Sequence, residues 1–164
     1  MLTKGEKGRM GDYFSKTRAE KGANKPLFKM SLEKRDLIKD EIEKIGRMIG
    51  RIMEYMLGKN SEPDNIEFLK QATQQLQGTL DIDLENLLQS TNENFIDQVS
   101  TRFHHDEAAM DQFADLLLTF ADKHKKRKKL FQAKARTLLV HIQDQSIVFS
   151  IDRQFKIEAL PLDT

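Results

Sequence analysis

The sequence predicts an all-α protein built from antiparallel helical hairpins. Three observations carry that expectation. After residue 30, apolar residues recur at alternating spacings of three and four through almost every segment, the rhythm of one buried helix face. Ser, Asp and Pro stand at segment starts and Gly at several ends, which is helix punctuation. Only "SIVFSI", 146–151, has strand-like β-branched content, and it has no second strand to pair with.

Residues 1–29 read as a flexible basic arm. They are glycine-rich, carry eight bases against three acids, and contain the breaker Pro26. Residues 30–164 read as a single helical domain. Met30 stands just before regular structure begins, so starts at Met1 and at Met30 are both open readings.

The first helix is expected from the cap Ser31 to Leu57, with Gly58 as its stop. Ile38, Ile42, Ile45, Ile49, Ile52 and Met56 form its stripe, and Leu37 and Met48 widen one side. Gly46, Gly50, Met53 and Leu57 form a ridge along the other, while Asp40, Glu43, Lys44, Arg47, Arg51 and Glu54 make the polar face. Each interior glycine costs roughly 1 kcal/mol relative to alanine. Two in one turn are explained if another backbone approaches closely there, first a neighbour within the chain and second another subunit. The GxxxG spacing acts as a dimer motif within an apolar membrane span, and Arg47 and Arg51 exclude that setting.

Further helices follow in quick succession. "SEPDNIEFLKQATQQLQG" offers Ser61 as cap, Pro63 in the first turn and Gly78 as stop, with Ile66, Leu69, Ala72 and Leu76 inward. "DIDLENLLQ" is a helix of about two turns. "STNENFIDQVSTRF" opens on a capping box of Ser90 and Glu93 and buries Phe95, Ile96, Val99 and Phe103. Asp106 caps the next helix, with Met110, Phe113, Leu117 and Phe120 on one line. Phe131, Ala135, Leu138 and Ile142 mark its successor. In "VFSIDRQFKIEAL", Val148, Ile151, Phe155 and Ala159 keep helical spacing, which favours a helix over a strand, with Pro161 ending it. Short turns between these segments make neighbours antiparallel.

Composition narrows the function classes. Hydrophobic residues make up 38% and charged residues 32% of 164, and there is no cysteine, hence no disulfide or thiolate site. No stretch approaches the ~18 apolar residues of a membrane span, nor is there a signal-peptide run, so a cytoplasmic location without membrane contact is expected. The net charge of +1 hides segregation. Residues 80–122 carry ten acids and one base, whereas 123–136 carry eight bases and no acid. Such blocks either face each other across a hairpin or leave a surface with two poles.

The segments "EIEKIGRMIGRIM", "LDIDLENLLQ", "FADLLLTFADKH" and "KIEAL", spread over 32–160, resemble an uncharacterised bacterial family of small tetratricopeptide-like helical proteins. The resemblance is one of layout and hydrophobic rhythm; the tryptophan–leucine–glycine–tyrosine signature of a true tetratricopeptide unit is absent. It implies a tetratricopeptide-like hairpin fold and binding to another protein, and it lends no catalytic residue.

The remaining chemistry is sparse. "HHDE", His104 to Glu107, is the densest group of metal-ligand types, but adjacent histidines on a helical turn diverge, and Asp106 is better used as a cap. Asp81, Asp83, Asp111 and Asp115 lack an apolar cleft to raise a carboxyl pKa. His141 reads as a core-margin residue. The run "KHKKRKK", 123–129, fits a solvated turn, or a contact to an acidic partner or phosphate backbone. The expectation is therefore a protein with no enzymatic activity and no cofactor, docking a protein partner. Gly46, Gly50, Met53, Leu57, Lys125, Lys126, Arg127, Lys128 and Lys129 are the candidate contact residues, with self-association through helix 32–57 a further outcome. The alternative is a nucleic-acid-associated protein using the basic arm and 123–129.

Overall fold

The computed structural model describes residues 24–58 and 65–162. Among them are seven helices and no strand: α1 Asn24–Met56, α2 Ile66–Leu80, α3 Leu84–Gln89, α4 Asn92–Arg102, α5 Glu107–Lys123, α6 Lys128–Gln145 and α7 Ile151–Ala159. A single 3-10 turn, Lys125–Arg127, joins α5 to α6. None of these helices is long and apolar enough to cross a membrane.

The chain divides into two units between Asp40 and Glu41. The first holds the opening turns of α1, which begin at Asn24 rather than at Ser31 and run through Pro26. Proline is tolerated in a first turn because its missing N–H would have no helical partner there. The expected arm therefore overlaps α1 at 24–29, and its residues 1–23 lie outside the described residues. Leu37, expected to widen the apolar stripe, is exposed.

In the second unit, α1 buries Ile45, Ile49, Ile52 and Met56, as their spacing requires, and leaves Glu43, Arg47, Arg51 and Glu54 in solvent. Tyr55 stacks on Phe68 of α2, ring centroids 4.7 Å apart. The cap of α2 is Asn65, whose side chain accepts from the Phe68 N–H at 3.1 Å; the expected Ser61 and Pro63 lie outside the described residues. α2 also continues past Gly78 to Leu80 and stops at Asp81 in the left-handed region (φ 56°), which aspartate tolerates better than most residues. Ile66, expected inward, is 80% exposed. The cap of α4 is Thr91, not Ser90. Ser90 instead closes α3, its hydroxyl donating to the Leu87 carbonyl at 2.7 Å.

α5 is apolar on several sides, burying Phe113, Ala114, Leu116, Leu117, Phe120 and Ala121, as an interior helix does. It forms an antiparallel hairpin with α6. Phe120 and Phe131 stack at 5.3 Å near the turn, and at the open end Ser146 Oγ meets Glu107 Oε1 at 3.1 Å. α3, α4 and α7 also pack on α6, which makes it the shared support of this unit.

Among the described residues no backbone of this chain approaches the glycines of α1. Among the described residues, a methyl group at Gly46 would meet the end of the Gln112 side chain on α5, with Oε1 at 3.0 Å, and at Gly50 it would meet nothing within 4 Å. Gly50→Ala should therefore stabilise the protein by roughly 0.5–1 kcal/mol through helix propensity, read as a higher midpoint in urea unfolding. A lower midpoint would show that something packs against Gly50 after all.

Candidate functional site

The helix α7 turns its apolar stripe outward. Val148, Ile151, Phe155 and Ala159 are all exposed, Phe155 to 65%, and Ile147 and Phe149 beside them are exposed too. The inward residues are Arg153 and Ile157. The cause lies on α5, where Glu107, Asp111 and Asp115 fall at i, i+4 and i+8 on one face. The Arg153 side chain, 5% exposed, donates to Asp111 Oδ1 and Oδ2 at 3.0 and 2.7 Å and to Glu107 Oε1 at 2.8 Å. It also donates to Gln143 Oε1 at 2.7 Å. Lys156 extends the ladder to Asp115 at 3.0 Å. The hydrogen bond to Asp111 leads in raising the Arg153 pKa against the opposing effect of burial. For Lys156, burial pulls downward, but Asp115 and Asp152 more than offset it and the pKa rises. Ser150 completes the arrangement by capping α7, accepting from the Arg153 N–H at 3.1 Å.

Pairing Asp111 and Asp115 with cations of α7 also answers how the charge blocks relate. Three acids of α5, Glu107, Asp111 and Asp115, are matched by Arg153 and Lys156 of α7. Across the two blocks, Arg127 makes a bidentate pair with Glu85 of α3 at 2.8 and 3.0 Å. Lys134 is buried, with its ammonium donating to the Ser90 carbonyl and to Asn92 Oδ1. Lys126, Lys128 and Lys129 are exposed and make no ion pair among the described residues. Of the candidate contact residues, Lys125–Arg127 thus form the turn of the hairpin and Lys128 and Lys129 open α6, while Met53 is half-buried and Leu57 exposed at the end of α1.

His104 and His105 are not on a helical turn. Both adopt left-handed backbone (φ 54° and 57°) between α4 and α5, and Asp106 caps α5 as expected, accepting from the Ala109 N–H at 2.9 Å. His104 Nε2 bonds Glu41 on α1 at 2.5 Å, and this bond leads in holding the Glu41 carboxyl below its ordinary range. His105 and His141 line one shallow cleft between α4 and α6. Among the described residues no group of three or more His, Asp or Glu is placed to hold a metal.

Sequence reasoning missed Arg153. The only available signal was a lone arginine in α7 together with three acids at helical spacing in α5. The chain matches no protein-family model, no curated protein and no solved structure, so function rests on this geometry.

Glu85 is likewise held below its ordinary 4.5, chiefly by the hydrogen bonds from Arg127. A carboxyl depressed in the folded state contributes stability that is full above the unfolded value and lost as pH falls through the folded one. Glu85→Gln should therefore be less stable than the parent at neutral pH, with the difference closing as pH falls below 4.5, measured by urea unfolding across that window. A difference that stays constant with pH would show that the Arg127–Glu85 pair is not the source.

Proposed function

We propose that the protein is a non-catalytic interaction module that docks a protein partner on the apolar surface at the α6–α7 connection. One observation carries the reading: Ile147, Val148, Phe149, Ile151 and Phe155 stand exposed within nine residues, on a segment anchored from behind by Arg153. Contiguous exposed apolar side chains of this size mark contact sites more often than chance solvent exposure, and phenylalanine is among the residues enriched at interfaces. The resemblance to small tetratricopeptide-like helical proteins, and the α5–α6 hairpin, support the same reading. The end of α1, with Met53 and Leu57 beside the open edge at Gly50, is a second contact region and the place where self-association would occur. A nucleic-acid role draws its support from the exposed Lys126, Lys128 and Lys129, and would show itself as affinity falling steeply with salt.

The double variant Phe149→Asp, Phe155→Asp tests the reading. Both side chains are exposed, so its stability should stay within about 0.5 kcal/mol of the parent. In nuclease-treated lysate, the parent should retain a protein that this variant loses. Identical retention by both would contradict the proposal, and retention that vanishes with nuclease would favour nucleic acid.

A further inference from the structure

At the other end of α6, about 27 Å away by the length of an 18-residue helix, lies a second feature unrelated to the α7 surface. A half-open cleft of about 640 Å³ runs between α2, α3 and the turn of the α5–α6 hairpin, a size typical of small-molecule sites. Leu69, Leu84, Phe120 and Phe131 give it buried apolar walls, and the exposed Ile66 also borders it.

Besides the uncharged Thr73 and Gln74, the polar groups of the cleft are predominantly cationic. Lys70 and Lys126 are exposed and make no ion pair among the described residues. Glu85, the acid among the described lining residues, is already engaged by Arg127, whose guanidinium also lies 5.9 Å from the Phe131 ring centroid. His124 lines the cleft as well, and its Nδ1 is buried with no hydrogen-bond partner among the described residues. A buried ring nitrogen left unpaired is costly, and a ligand group that reaches it recovers that cost.

Apolar walls with a cationic edge match a molecule that has a long apolar body and one anionic end. We propose that this cleft binds a free long-chain fatty acid, its alkyl chain along Leu69, Leu84, Phe120 and Phe131 and its carboxylate at Lys70, Lys126 and His124. The chain's own basic segment 1–29, with a balance of +5, has the wrong charge to fill it. An acidic amphipathic peptide has the right charge as well, and the titration below separates it from a fatty acid.

The test is equilibrium titration of the full chain with palmitate below its micellar concentration, alongside methyl palmitate and myristate. Palmitate should bind saturably at one site. Myristate, two methylenes shorter, should bind about tenfold more weakly from the lost burial, and the uncharged ester at least about tenfold more weakly. The double variant Lys70→Glu, Lys126→Glu changes only exposed side chains, so it should keep the parent's helical circular dichroism while losing at least about tenfold in palmitate affinity. Absence of saturable binding would overturn the proposal, as would equal binding of acid and ester, or unchanged affinity in the variant. Capture of an acidic amphipathic peptide by a chain that ignores palmitate would overturn it in favour of a peptide groove.

Discussion

The guanidinium of Arg153 determines which way the last helix faces. Buried to all but 5% of its side chain, it is held by Asp111, Glu107 and Gln143. A charge taken out of water is costly unless it is closely paired, so once these partners surround Arg153 the helix cannot roll without stranding it. A rotation that buried Phe155 would carry Arg153 away from both carboxylates. The ion pairs thus compete directly with apolar burial for the orientation of α7, and they prevail because three acids of α5 lie in register with two cations of α7.

The rest of the charge distribution follows from that pairing. With its inward acids matched by α7, α5 leaves the basic turn after it to find other partners, and Arg127 takes Glu85 of α3. Lys134 is drawn inside, where the Ser90 carbonyl and the Phe95 ring receive it. The remaining lysines at the turn stay in solvent beside an apolar cleft. The chain therefore presents two unlike surfaces: a largely apolar one where α6 meets α7, and a cation-edged one at the turn between α5 and α6.

Most of the helical architecture was legible in the sequence because it rests on local periodicity. Ile45, Ile49, Ile52 and Met56 point inward, as do Phe113, Leu117 and Phe120, and Asp106 caps its helix. Boundaries shifted where adjacent polar residues offered competing caps: Thr91 prevails over Ser90, and Asn65 begins a helix expected to start earlier. Ile66 is exposed although it shares the spacing of its stripe, because its position at the first turn of α2 leaves it at the border of the cleft. The glycine pair invited a close-packing explanation, yet their spacing says only where space exists, not what fills it. The face of α7 was illegible for a different reason. Periodicity ranks apolar residues and sets an arginine outside, and it has no access to a carboxylate 42 residues away that makes the arginine the better inward residue.

The most direct measurement follows from the chain having no tryptophan. Phe155→Trp places a single indole, excitable apart from the two tyrosines, on the outer face of α7 without touching the ion pairs behind it. With α7 anchored by Arg153, its emission should be that of a solvent-exposed indole and should be quenched efficiently by acrylamide. Adding Arg153→Leu and Asp111→Leu, which remove the guanidinium and its main carboxylate together, should shift the emission to the blue and protect it. A blue-shifted, protected indole in the single variant would contradict the account, because it would mean that α7 buries its apolar face despite the ion pairs.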